Sequence, residues 1–212
     1  MEFNFSKIRK EFFNFGKEKK FPQNLYFLLR HGETPFQVMK EKVHYPWPEP
    51  ADSPVLLTEK GKEQIKIVAR ELKKENIDLI YSSDINRAHQ TAEILVKELG
   101  LKINFDKRLR DINYGIYHGR PRKEFHRDFP DTKERFYTAP EKGESWSDCK
   151  KRVKDFIKEV EEKHQGKKIL IVSHGDPLWL LEGIIKDKTD DELLKEKLEG
   201  KIIKVSELRK TN

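Results

Sequence analysis

The chain has a single cysteine, Cys149, among 212 residues, so it can build neither an internal disulfide nor a multi-cysteine metal site. It has no apolar run long enough to span a bilayer and no apolar core of a secretory signal near its N-terminus, which makes a cytoplasmic location the default expectation. It has no internal repeat and no nucleic-acid-binding motif. Its lysines are scattered among glutamates, the pattern of a solvated face rather than of a polyelectrolyte tail. Hydrophobic residues make up only 35% against 38% charged, so a densely charged surface must enclose a core that this length is sufficient to bury. The formal net charge of +7 suits an acidic ligand without choosing among phosphate esters, nucleic acids and other anions.

Residues 1–23 stand apart as a Phe/Lys-rich N-terminal extension that holds six of the thirteen phenylalanines. Phe5, Ile8, Phe12 and Phe15 recur at helical spacing and Gly16 supplies a stop, which predicts a short helix packed on the body. The alternative is a basic amphipathic segment for a partner or a membrane surface. Residues 24–212 form one domain in which strand and helix patterns alternate. Strands are predicted at 24–30 (NLYFLLR), 78–82 (DLIYS), 102–105 and 168–173 (KILIVS). Helices are predicted at 58–76, capped by Thr58, at 85–99, at 145–164 and at 177–185. This alternation implies an α/β fold with a mostly parallel sheet covered on both faces, whose ligands bind at the carboxyl ends of the strands. The stretch YPWPEPADSP, residues 45–54, is too rich in proline for regular structure and reads as a long loop near the site.

Two apolar strands end alike, the first in Arg30-His31-Gly32 and the second in Ser173-His174-Gly175. Each glycine would let the backbone turn sharply beside its histidine. Two imidazoles at the carboxyl edge of one parallel sheet can share a pocket. Zinc would be one reason to bring them together. An arginine next to His31 argues instead for an anion, because a cation beside a metal is unfavourable. Arg87 follows a third strand end, and planar guanidinium groups bind phosphate oxygens bidentately.

With these residues placed, the chain resembles the histidine phosphatase superfamily, also called phosphoglycerate-mutase-like, over residues 25–185. LLRHGET is similar to the family's opening signature, LTEKGKEQ to the start of its first long helix and IYSSDINRAHQTAEIL to its second arginine block. RLRDINYGIYHG is similar to its acid-bearing loop, GESWSDCKKRV to the next helix entry and LIVSHGDPL to its second histidine block. The resemblance implies a three-layer α/β/α sandwich and a phosphatase that works without metal or cofactor. It implies His31 as the nucleophile that accepts the phosphoryl group. Arg30, Arg87 and His174 would bind its oxygens, with His174 protonated, and Asp111 would be the proton donor to the leaving oxygen and then the base for water. Thr34, Gln37 and Gly175 join the substrate-binding set. Glu144 is the substitute acid should Asp111 not serve, and Glu33 is assigned no catalytic part. The chain departs from the family's usual pattern at three places. Asp111 stands where a Glu is usual, Gln37 where a phosphate-binding Asn is usual, and the proline-rich stretch replaces a shorter linker.

The expected activity is hydrolysis of phosphate monoesters through a phosphohistidine on His31. A phosphoglycerate-mutase-type phosphotransferase is the alternative among enzymes, and a phosphate-binding regulatory protein is the alternative outside them. The expected partner is a small phosphorylated substrate, with no nucleic acid and no transmembrane segment. A homo-oligomer is left open.

Overall fold

The computed structural model describes residues 21–211 of the chain. The predicted helix over Phe5 to Phe15 lies outside the described residues. Five strands form one sheet: β1 (Leu25–Arg30), β2 (Leu79–Ser82), β3 (Ile103–Phe105), β4 (Lys168–Ser173) and β5 (Leu208–Lys210), in the order β3-β2-β4-β1-β5. All neighbouring pairs are parallel except β1 with β5. Among the described residues the helices are α1 (Pro35–Val38), α2 (Glu59–Leu72), α3 (Asn86–Leu99), α4 (Arg122–Asp128), α5 (Thr132–Tyr137), α6 (Trp146–Lys163), α7 (Gly175–Ile185) and α8 (Asp190–Leu198).

The two-residue period of a strand explains why the inner positions of β1 and β4 are apolar on both faces. Tyr26 and Leu28 of β1 and Ile169 and Ile171 of β4 point into one core with α6 and α7. Phe27, Leu29, Leu170 and Val172 point into the other core with α2 and α3. Each face is closed by an amphipathic helix whose buried residues recur at three and four. These are Ile65, Val68, Ala69 and Leu72 on α2, and Trp146, Cys149, Val153, Phe156, Ile157 and Val160 on α6. Burial of each large side chain contributes about 1.5–3 kcal/mol, so these two seams hold the three layers together.

Capping sets where the helices begin. The Thr58 hydroxyl accepts from Gly61 N at 2.9 Å, and the Ser145 hydroxyl accepts from Asp148 N at 3.1 Å while the Asp148 carboxylate accepts from Ser145 N at 3.0 Å. Two predicted boundaries move by more than one residue. The helix predicted over 58–76 ends as α-helix at Leu72, continues as a 3-10 turn over Lys73–Glu75 and stops at Asn76, whose φ is 53°. The helix predicted from Pro177 begins at Gly175, because proline is tolerated in the first turn, where no carbonyl awaits its missing N–H. Helices α4, α5 and α8 and the antiparallel edge strand β5 were not anticipated. The first three are short or strongly charged, and their apolar positions are too few for a clear period. No helix among the described residues is long and apolar enough to cross a membrane.

Candidate active site

Sheet register brings the two histidines together. Arg30 of β1 pairs with Ser173 of β4, so the next residue on each strand, His31 and His174, leaves the sheet at the same place. Their ring centroids are 5.3 Å apart, and both side chains are buried. The parallel neighbour β2 ends one step earlier, with Ser82 opposite Val172. Ser83 therefore reaches His174, its Oγ lying 2.9 Å from Nε2. Neither Gly32 nor Gly175 has a positive φ, so the sharp-turn reading of these glycines is corrected. Close approach restricts both positions, strictly at Gly32 and more mildly at Gly175. A Cβ on Gly32 would lie 2.9 Å from the carbonyl oxygen of Gly61, and one on Gly175 would lie 3.1 Å from Nη1 of Arg30.

The tautomers follow from the hydrogen bonds. His31 Nδ1 is 2.8 Å from the Gly32 carbonyl, which can only accept, so Nδ1 carries the proton and Nε2 carries the lone pair. His174 Nδ1 is 3.8 Å from Asp111 Oδ2. A proton on Nδ1 faces that carboxylate favourably, and Nε2 then accepts from the Ser83 hydroxyl, whose oxygen accepts from Ile85 N at 3.3 Å. Burial, followed by the Arg87, His174 and Arg30 charges, holds the His31 pKa well below the usual histidine range. Burial and then Arg87, Arg30 and Arg152 do the same to His174. The expectation of a protonated His174 is therefore corrected for the ligand-free protein. Its imidazole is neutral and offers an Nδ1–H.

Arg87 opens α3 with its side chain buried, held on three sides. Nη2 donates to Asp111 Oδ2 at 2.8 Å, Nη1 donates to Glu49 Oε1 at 3.1 Å, and Cζ lies 3.7 Å above the centre of the Tyr45 ring. Arg30 Nη1 donates to the Ile203 carbonyl at 3.0 Å. Asp111 also accepts from Ile112 N at 3.0 Å. Burial pushes the Asp111 carboxyl up, but the Arg87 guanidinium first, with Arg30 and the Ile112 N–H, outweighs it and holds its pKa below the ordinary aspartate value.

Six buried side-chain polar atoms have no hydrogen-bond partner among the described residues, and four belong to this cluster: Arg30 Nε, His31 Nε2, Arg87 Nε and His174 Nδ1. Three are donors and one is a lone pair. Buried polar groups are rarely left unpaired, and four of the six fall in the cluster around the two histidines.

The structure thus brings Arg30, His31, Arg87, Asp111 and His174 together. Thr34 and Gln37 serve each other instead. Gln37 Oε1 accepts from Thr34 N and Thr34 Oγ1, both at 2.7 Å, and both side chains meet the Tyr45 hydroxyl. Glu144 accepts from Arg152 at 2.6 and 3.0 Å and from Asn113 N at 3.0 Å, and Arg152 donates to the Asp111 carbonyl at 3.1 Å. This pair shapes the loop that carries Asp111. Glu33 is turned away, to Thr58 at 3.0 Å and Lys60 at 3.1 Å. Tyr45, Glu49 and Ser83 were missed by sequence reasoning. The prolines around Glu49 were the one available signal, since they fix the loop that carries it.

Beyond Asp111 opens a cavity of about 200 Å³ whose lining includes Tyr45, Trp47, Lys107, Arg110, Asn113 and Glu144. Trp47 and Arg110 stack at 5.0 Å. No group of three or more His, Cys, Asp or Glu side chains among the described residues is arranged to hold a metal ion.

The chain is 33% identical over 127 residues to phosphoserine phosphatase 1 of Hydrogenobacter thermophilus, a stretch covering 58% of this chain and 60% of that protein. It is 32% identical over 160 residues to a Yersinia enterocolitica protein named probable phosphoglycerate mutase GpmB, covering 73% and 71%. The fold superposes on a mycobacterial glucosyl-3-phosphoglycerate phosphatase solved with VO3, with a TM-score of 0.75 over 89% of this chain and 90% of that one at 24% identity. The profile of the histidine phosphatase superfamily, branch 1, matches residues 26–209, and the chain belongs to that superfamily.

Proposed function

We propose that this protein is a phosphatase that hydrolyses small phosphate monoesters through a phosphohistidine on Nε2 of His31. The observation that carries the reading is the set of four unpartnered nitrogens. In this reading Arg30 Nε–H, Arg87 Nε–H and His174 Nδ1–H are the donors to the phosphoryl oxygens, and the lone pair of His31 Nε2 is the nucleophile.

In the first step the Nε2 lone pair attacks phosphorus. The P–N bond forms as the bond to the ester oxygen breaks, and the Asp111 carboxyl delivers its proton to that oxygen. The incoming dianion raises the Asp111 pKa from its depressed value in the free site, so the carboxylate takes up a proton from solvent as the substrate binds. In the second step the Asp111 carboxylate takes a proton from water, the water oxygen attacks phosphorus, and the P–N bond breaks to release inorganic phosphate and neutral His31. The transition state spreads charge over the equatorial oxygens, so fixed donors in a dry pocket are the main source of acceleration. The covalent intermediate divides one displacement into two easier ones.

The clamp is made of side chains, so activity should persist in a chelator and be inhibited by vanadate. The test is turnover of a panel that includes phosphoserine, glucosyl-3-phosphoglycerate and phosphoglycerate, the compounds in the relatives' names. Release of inorganic phosphate supports hydrolysis. Phosphate transfer between hydroxyls of phosphoglycerate without release would favour the mutase reading, and no turnover of any ester would favour a binding protein.

A further inference from the structure

The proline-rich loop supplies a residue that the two steps above do not use. Glu49 lies between Pro48 and Pro50, and its side chain is 5% exposed. Its Oε1 accepts from Arg87 Nη1 at 3.1 Å, and its Oε2 accepts from Asn86 Nδ2 at 2.7 Å and from Val55 N at 3.2 Å. Every partner donates, so both oxygens must accept. An amide in this place would turn an N–H against one of these donors whichever way it flipped.

A buried carboxylate next to an anion site opposes anion binding by charge repulsion. What it offers in return is control of Arg87. A guanidinium can meet a phosphate end-on through Nη1 and Nη2, or side-on through Nε and one Nη. Here Glu49 occupies Nη1, Asp111 occupies Nη2, and the Tyr45 ring covers one face. Nε alone has no partner among the described residues.

We propose that Glu49 is a positioning residue for phosphoryl transfer, gripping Nη1 of Arg87 so that the guanidinium presents its Nε edge to the phosphoryl oxygens. The inference rests on the reading of the His31 pocket as a phosphoryl site. Glu49 touches no reacting atom and acts through Arg87.

The test is a double-mutant cycle of Glu49→Gln and Arg87→Lys, read by turnover of p-nitrophenyl phosphate, by vanadate inhibition and by melting temperature. Glu49→Gln should lower kcat about 10- to 100-fold, the scale of a misplaced catalytic group, and should weaken vanadate inhibition although it removes a negative charge. In the Arg87→Lys background, where no guanidinium edge remains to be oriented, the same change should cost less than about twofold, the mark of two residues acting as one unit. Glu49→Asp carries the same cycle if Glu49→Gln does not fold. Tighter vanadate inhibition with unchanged kcat would reduce Glu49 to a repelling charge and overturn the proposal. An equal loss in both backgrounds would overturn it in favour of simple loop anchoring. Wild-type protein that neither turns over the ester nor responds to vanadate would instead overturn the phosphatase reading on which the proposal rests.

Discussion

His31 donates from Nδ1 to the carbonyl oxygen of its own neighbour, Gly32, over 2.8 Å, and this short local bond leaves Nε2 as the nitrogen with a free lone pair. The phosphoryl group should therefore be found on Nε2. Quenching the protein during turnover of a labelled ester and digesting it under alkaline conditions should yield the Nε2 isomer of phosphohistidine, identifiable by phosphorus NMR. His31→Ala should abolish the label. Label on Nδ1, or label surviving in His31→Ala, would refute the assignment.

Asp111 is one methylene shorter than the family's usual acid, yet Arg87 and Ile112 N hold its carboxylate 3.8 Å from His174 Nδ1. Asp111→Asn should slow phosphorylation of His31 by an alkyl phosphate by roughly 10²–10⁴-fold. An aryl phosphate with an acidic phenol needs little protonation and should lose much less. Glu144→Gln weakens the Arg152 pairing and should slow both esters alike, without dependence on the leaving group. Rapid-quench labelling rates for the two esters decide the matter, and a leaving-group effect that follows Glu144 would exchange the roles.

Ser83 faces Nε2 of His174 and holds the ring there, while the Asp111 carboxylate beside Nδ1 favours the proton on that nitrogen, which leaves Nδ1–H for the substrate. Ser83→Ala removes that partner, and the loss of one hydrogen bond, about 0.5–1.5 kcal/mol, should lower kcat/KM by roughly 2- to 10-fold. Melting temperature should change little. Unaltered kinetics in this variant would mean that the bond to Ser83 does not hold the His174 ring for the reaction.

Stability should fall on mild acidification. Burial first, then the Arg122, His118 and His126 charges, lower the His44 pKa to about 4. Above the ordinary histidine value of about 6.5, His44 is neutral in both states and its contribution is fully present. As the pH drops from there toward 4, the unfolded chain takes up a proton that the folded chain refuses, so stability is lost across that window. His31 and His174 are shifted in the same direction and add to the slope. Urea unfolding between pH 7.5 and 4.5 should show the decline. His44→Phe, whose ring would pack between Tyr114 and Phe125, should make it shallower. A slope indifferent to this substitution would count against His44.

The sequence by itself determined the layers and the strand ends. The four apolar or half-apolar strands, the two long helices with apolar residues at three and four, and the cap Thr58 are local patterns, and local sterics and burial act on them within a few residues. The pairs Arg30-His31 and Ser173-His174 were legible for the same reason, because each ends a strand whose apolar run is unmistakable. Asp111 was legible only through family resemblance, since nothing near it in sequence marks an acid loop.

Tertiary structure decided what those residues do to one another. The register of β1 on β4 set the distance between the two imidazoles, and no single strand encodes its register with another. Arg87 and Asp111 meet across 24 residues, Arg87 and Glu49 across 38, and His174 and Ser83 across 91. Which nitrogen of each histidine is free, which edge of Arg87 is offered, and why His174 is neutral all depend on those long-range contacts and on the exclusion of water. Hydrogen bonding and desolvation depend on neighbours in space, and the chain acquires those neighbours only when its sheet closes.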